Sequence, residues 1–434
     1  MLKNHFSRRD SLKLFGSFAL SSLLFPDLLS ANEERTFHVV IVGGGIGGVS
    51  AAKYLRLLNA KVNITIVEPK KEYIFCPGSN EIFSGDTTVE DLTVTYTTIK
   101  NRYKINLVHD SATKIDYKNK TLLLKNSDAI KYDKLIVATG PKYDYEAIEG
   151  YTLELAKTKY PAAWHVSPQT LLLKKQIEEL AKGGKIIISI PKGPYRCPPA
   201  PYERATLIAQ ILKEKNPTAK VIILDSKDSF VFQNEYTYAW REKFNYGKKN
   251  ATIEWISAKD GGEVKSLDAK NSSVTTVNGT VFGADILNII PPHKASEFTS
   301  DNHLTEGNWC SVEYQDYSST KYKDVYIIGD TIKSTPMPKT GYIASNQARV
   351  VEEAINDVIH SRKIGTPFVV NNCIAMIDKN FGATLSEVYR FDGRGKPLVE
   401  QYYAPKLDEN AKQELMLSKL ANDWQFTFRR SIFS

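Results

Sequence analysis

The sequence predicts an α/β protein with two Rossmann-like dinucleotide-binding domains, the first interrupted by the second, followed by a smaller C-terminal α+β segment. Three observations carry that prediction. A β-branched run near the start leads into glycines at dinucleotide-binding spacing. Two later apolar runs end in Ala-Thr-Gly and Gly-Asp. Between those two runs lies a separate strand, helix, strand unit.

The first unit begins with Thr36 to Val42 and passes into Gly43, Gly45 and Gly48, after which an apolar face recurs at helical spacing. The first glycine permits a tight turn, the second lets the backbone approach a pyrophosphate, and the third lets helix and strand pack closely. The next strand, Val62 to Val67, ends at Glu68, the position from which a carboxylate accepts hydrogen bonds from an adenosine ribose. The run from Asp133 closes on Ala138, Thr139 and Gly140, and that from Asp324 on Gly329 and Asp330. In flavoproteins with two dinucleotide domains, the glutathione-reductase-like arrangement, such segments return the chain to the flavin domain, where the aspartate bonds the ribityl chain. The expected cofactor is FAD; capping of the following turn is the other role open to Asp330.

The inserted unit has strands at Lys185 to Ile190 and Val221 to Asp225 with a helix from about Tyr202. Its first turn runs from Pro191 to Pro201 and holds five prolines where a nicotinamide-binding domain would carry a second glycine fingerprint. Proline offers no N–H to a phosphate and its ring obstructs close approach, so NAD(P)H is not the expected donor. These landmarks divide the chain into residues 32–150 (FAD-binding domain, first part), 151–290 (second Rossmann-like domain), 291–365 (FAD-binding domain, second part) and 366–434 (C-terminal domain).

Composition sets outer limits. With 434 residues, 42% hydrophobic, and 4 cysteines, the chain can fill two or three cores and is no disulfide-knit miniprotein. The net charge of +8 comes without a basic block interleaved with aromatics, so no nucleic-acid partner is expected. Residues 1–31 read as a twin-arginine signal: Arg8 and Arg9 precede an apolar run, Leu14 to Phe25, closed by Leu29, Ser30 and Ala31. The run is too short for a spanning helix, which takes roughly 20 residues. The expectation is export in folded form to the periplasm, with no integral membrane segment after cleavage.

Cys76, Cys197, Cys310 and Cys373 form neither CxxC nor CxxCH, so no zinc or other metal site and no c-type haem is expected on this chain. Electrons must therefore leave for a haem-bearing partner chain or a quinone. Cys197 precedes a helix and follows Arg196, a setting expected to favour a thiolate. Cys310, beside Trp309, is expected to pack as a small buried hydrophobe.

The run Arg196-Cys197-Pro198-Pro199-Ala200-Pro201-Tyr202-Glu203-Arg204-Ala205 resembles the signature of the flavoprotein subunit of flavocytochrome c sulfide dehydrogenase. The likeness extends over Cys76 to Glu81, Asn288 to Pro292, Met337 to Tyr342, Asn372 to Met376, and Tyr389 with Arg390. The resemblance implies a redox-active disulfide between Cys197 and Cys373 over the flavin, and FAD carried on Cys76 through an 8α-thioether. It also implies a C-terminal interface domain that supplies Cys373 and shapes the surface where a c-type cytochrome docks. Glu203 is the candidate for proton transfer, and Lys339 is expected near the flavin pyrimidine. The substrate so implied is sulfide. Pro77-Gly78 departs from the family's usual Tyr-Leu, which leaves noncovalent FAD beside an idle Cys76 thiol as the alternative. A sulfide:quinone oxidoreductase, or an accessory redox protein of a sulfur-carrier system, are the other functions open at this point. A helix is expected from Glu409 to Trp424, followed by an aromatic and basic tail.

Overall fold

The computed structural model describes residues 36–378, 381–391, 397–403 and 411–434. The signal-like segment 1–31 lies outside them. From His38 to Ser434 the chain forms one compact unit.

β1 (His38–Val42) feeds α1 (Ile46–Leu58), which returns to β2 (Asn63–Val67). β1 pairs in parallel with β2 on one side and β4 (Lys134–Val137) on the other, while β2 continues to β3 (Asn106–Val108). The strand expected to return late in the chain, here β9 (Val325–Ile327), pairs in parallel with β4. The two distant runs therefore enter the same sheet as the first glycine unit. These strands read as unbroken apolar runs because both of their faces are covered: consecutive residues Val39, Val40 and Ile41, and Leu135, Ile136 and Val137, are fully buried.

The inserted unit is a second parallel sheet in the order β7 (Ile253–Ile256), β6 (Lys220–Asp225), β5 (Lys185–Ile190), β8 (Ile286–Ile289). α2 (Ala200–Lys215) and α3 (Gln233–Phe244) pack together beside it, burying Tyr202, Tyr236 and Trp240. α4 (Gly341–Ile359) leads out of the first sheet's domain and packs along α1, with Ser50 Oγ donating to Ser345 Oγ at 3.0 Å.

The C-terminal part is an antiparallel sheet of β10 (Val369–Asp378), β11 (Phe381–Phe391) and β12 (Pro397–Tyr403), followed by α5 (Ala411–Phe433). The helix expected to stop at Trp424 runs on to Phe433. Trp424, Phe428 and Ile432 recur every four residues, so they share a face. Phe428 packs on Phe75 and Tyr342, with ring centroids 5.8 and 5.3 Å apart, and Phe433 stacks on Tyr73 at 5.3 Å. The tail is helical because the first domain offers it an aromatic seat, which its local sequence does not reveal. Among the described residues no helix is long and apolar enough to cross a membrane.

Candidate cofactor and cysteine site

A cavity of about 2390 Å³ opens at the carboxyl ends of β1, β4 and β9 and extends to β10 and α5. Gly43 turns the chain at φ +106°, and a Cβ there would lie 2.5 Å from the Ala138 carbonyl oxygen, so only glycine fits. At Gly45, which caps α1, the nearest atom a Cβ would meet is a Tyr73 ring carbon at 3.5 Å. That face is open, and the first-turn N–H groups of α1 lie beside it. A phosphate fits such a cradle. Glu68 Oε2 accepts from the Gly44 N–H at 2.8 Å and Oε1 from the Lys70 N–H at 3.0 Å, holding the carboxylate at the end of β2. Ala138, Thr139, Gly140, Gly329 and Asp330 complete this wall. Volume, glycine cradle and acidic strand end fit FAD.

Gly48 does not line the cavity. Its role is the one read from spacing: a Cβ there would come within 1.9 Å of the Gly43 carbonyl oxygen, so its absence lets α1 lie against the turn.

Further in, Arg196 donates to Cys76 Sγ at 2.5 Å and its Nε lies 3.7 Å from Asp330 Oδ2. Burial works against the guanidinium charge, but Cys76, Tyr73, Tyr143 and Asp330 outweigh it and push its pKa above the ordinary range. Burial pushes the Asp330 carboxyl up, while Arg196 and Lys339 pull it back.

Lys339 corrects an expectation. Its ammonium is not in the cavity: it is 1% exposed, lies 3.6 Å from the centre of the Trp309 ring, and donates to the carbonyls of Asp330 and Ile332 at 2.9 and 2.5 Å. Burial brings its pKa down to about 8. The aromatic face and two carbonyls offer a buried ammonium more than the cavity does, so Lys339 tethers the turn after β9. Its backbone carbonyl still serves the site, accepting from the Cys197 N–H at 2.8 Å.

Cys197 has φ +56°, a left-handed conformation uncommon for a side-chain-bearing residue and frequent at functional sites. It lines the cavity together with Glu203 and Arg204 of α2 and Cys373 of β10, and is near enough to act electrostatically on Cys373. Cys197 and Cys373 stand as free thiols, not as the disulfide the resemblance implies. The expected thiolate bias at Cys197 is also reversed. Dense surrounding protein and the Glu203 carboxylate push its thiol up to about 12, against the smaller pull of Arg196 and the Ala200 N–H. Arg196 is directed at Cys76 and Asp330, which is why it does less for Cys197 than their adjacency suggests. Cys373 is also raised, by burial first and then by Cys197 and Glu203. Burial raises Glu203 to about 7, against hydrogen bonds from Asn80 and the Met376 N–H. Cys310 is fully buried, 3.9 Å from Thr331 Oγ1, as its apolar neighbours suggest.

Four residues of this neighbourhood carry no motif that would single them out. His165 and Tyr143 line the cavity and share a 2.6 Å hydrogen bond; burial, then Arg196 and Lys70, lowers His165 to about 4. Asn80 and Arg204 lie inside the quoted runs, yet only their side-chain contacts reveal a role.

In the second sheet the acidic strand end is already occupied. Asp225 is fully buried: Oδ2 accepts from Tyr202 Oη and, at 3.0 Å, from Trp255 Nε1, while Oδ1 accepts from Lys227 Nζ at 2.6 Å and its N–H at 3.1 Å. Two hydrogen bonds on each oxygen leave none for a ribose.

The model of the sulfide dehydrogenase [flavocytochrome c] flavoprotein chain, central, matches residues 170–291, and that of pyridine nucleotide-disulphide oxidoreductases matches residues 37–170. The chain belongs to the FAD flavoproteins of the sulfide dehydrogenase and sulfide:quinone reductase type. It is 25% identical over 373 residues to the sulfide-quinone reductase of Aquifex aeolicus, covering 80% of this chain and 82% of that one. A segment of 47 residues, 11% of this chain, is 53% identical to 98% of a sulfide dehydrogenase [flavocytochrome c] flavoprotein chain from Chlorobaculum thiosulfatiphilum. The crystal structure of the Aquifex aeolicus sulfide:quinone oxidoreductase shares the fold, with a TM-score of 0.72, 20% identity and 92% of each chain covered. Membership of this family accounts for the glycine cradle as an FAD site.

Proposed function

We propose that the protein oxidises sulfide through Cys197 and Cys373, with FAD as its cofactor, and passes the electrons to a c-type cytochrome in the periplasm. The observation that carries the reading is the meeting of Cys197, Cys373 and Glu203, from segments far apart in sequence, on the cavity that holds the glycine cradle. Hydrosulfide attacks one sulfur of a Cys197–Cys373 disulfide; an S–S bond forms to the incoming sulfur, and the other cysteine leaves as a thiolate. A second sulfur nucleophile removes the sulfane sulfur and leaves the dithiol. When bound, FAD supplies the acceptor for the two electrons released as the disulfide reforms, and the one-electron donor to the partner. Cys197, exposed to the cavity, receives sulfide; Cys373 is the leaving thiolate. Glu203, raised to about 7, accepts protons from sulfur that thiols held above their ordinary range would otherwise retain.

An anaerobic sulfide titration of the purified chain is the direct test: flavin absorbance falls in proportion to sulfide added, and an unchanged spectrum removes the reading. The long relatives that are sulfide-quinone reductases support quinone as the second acceptor reading. Reduction of cytochrome c by protein plus sulfide, with a soluble quinone left oxidised, selects the first; the reverse selects the second.

The Arg196 guanidinium donates to Cys76 Sγ and so fixes that sulfur on the cavity wall from which a thioether to FAD would form. The expected result is that denatured wild-type protein keeps yellow colour on the polypeptide, while denatured Cys76→Ala releases all of it. Complete release from wild type shows FAD to be noncovalent.

A further inference from the structure

The loop carrying Cys76 and the helix carrying Glu203 meet through Asn80, which is 5% exposed. Its Nδ2 donates to Glu203 Oε2 at 2.6 Å and to the Ala200 carbonyl at 3.0 Å, employing both amide hydrogens. Its Oδ1 accepts from Arg204 Nε at 3.1 Å. A guanidinium can only donate, so this last bond decides which way the amide faces: oxygen toward Arg204, NH₂ toward Glu203.

Arg204 is itself immobilised. It donates to Asn288 Oδ1 at 2.9 Å and to the carbonyls of Ala162 and Ala163 at 3.3 and 2.5 Å, and it lies 5.1 Å from the ring centres of both Phe83 and Trp164. Turning either side chain would leave a buried polar group unpaired.

We infer that Asn80, oriented by Arg204, is a positioning residue that holds Glu203 as a carboxylate, ready to take a proton from sulfur. This deepens the sulfide-oxidation reading and rests on it. In the step concerned an S–H bond breaks and an O–H bond forms on Glu203, leaving a sulfur anion; no electrons change hands. The charged and titratable groups around Glu203 are Arg204 on α2, Cys197 before it, Glu81 on the short helix Glu81–Ser84, Cys373 on β10 and Tyr236 on α3. Burial and Glu81 favour the protonated acid. Asn80 heads the opposing contributions, ahead of the Met376 N–H and Arg204.

The test is the pH dependence of anaerobic flavin reduction by sulfide in wild type, Asn80→Ala, Asn80→Ser and Glu203→Gln, with dithionite reduction as the control for intact cofactor. Sulfide ionises near neutrality in every sample, so the quantity read is the displacement between variants. Loss of one hydrogen bond to a charged group moves the Asn80→Ala midpoint up by about one pH unit, which slows reduction about tenfold below the midpoint while dithionite reduction is unchanged. Asn80→Ser, which keeps a donor, recovers part of the shift. A wild-type midpoint in Asn80→Ala, or no recovery in Asn80→Ser, overturns the inference. A Glu203→Gln profile that matches wild type instead overturns the role given to Glu203 itself, and the two failures are thereby told apart.

Discussion

Replacing either Cys197 or Cys373 by serine abolishes flavin bleaching by sulfide and leaves reduction by dithionite intact. The two substitutions are equivalent in outcome because the reaction needs both sulfurs: one to receive the incoming sulfur, the other to leave. A hydroxyl can neither form the bridge nor serve as a comparable leaving group, so the rate of sulfide-driven reduction falls by roughly three orders of magnitude or more. Both side chains border the same cavity as Glu203, and their charges act on one another. Serine is close to cysteine in size, so the cavity and its cofactor survive, and stopped-flow absorbance with the two reductants separates the chemistry from cofactor loss. Sulfide bleaching that persists at the wild-type rate in either variant removes the cysteine pair from the mechanism.

The second large effect is structural. Gly48→Ala places a methyl group 1.9 Å from the Gly43 carbonyl oxygen and 3.3 Å from Ile41 Cγ2, both part of the turn and strand that α1 packs against. Backbone cannot yield as a flexible side chain does, so α1 must lift off β1. The cost is roughly 3 kcal/mol, with loss of bound flavin. Gly45→Ala is the informative companion. There the added carbon meets only a Tyr73 ring atom at 3.5 Å, so the fold is kept while the approach of a pyrophosphate is blocked. Thermal melting and the flavin-to-protein ratio should separate them: Gly48→Ala loses both stability and flavin, Gly45→Ala only flavin. A Gly48→Ala protein that melts with wild type and keeps its flavin would refute the packing role.

The glycine unit, Glu68 and the two returning strand ends were legible because their chemistry is written within a few residues. A turn followed by a helix N-terminus needs no distant partner to be recognised. The cysteine pair was different. Cys197 and Cys373 share no spacing that signals pairing, and only the resemblance joined them. The directions of Arg196 and Lys339 differ from expectation. Adjacency along the chain suggested that Arg196 would serve Cys197, and the family resemblance suggested that Lys339 would lie near the flavin pyrimidine. In the folded protein Arg196 turns to Cys76 and Asp330, and Lys339 to Trp309 and two carbonyls. Asn80 was within a quoted run, but the orientation of its amide exists only because Arg204 reaches it from another segment.

By itself the sequence determined which backbone could be built: parallel sheets from unbroken apolar runs, and a glycine turn that forms a phosphate cradle and lets α1 pack close beside it. Only the tertiary structure decided how strongly each group at the centre holds its proton, and where the final helix ends. Burial raises Glu203 to about 7, the dense protein around Cys197 and the Glu203 carboxylate raise Cys197 to about 12, and the aromatic seat formed by Tyr73, Phe75 and Tyr342 extends the last helix to Phe433. Desolvation and packing are sums over neighbours in space, and those neighbours are assembled only when the chain folds.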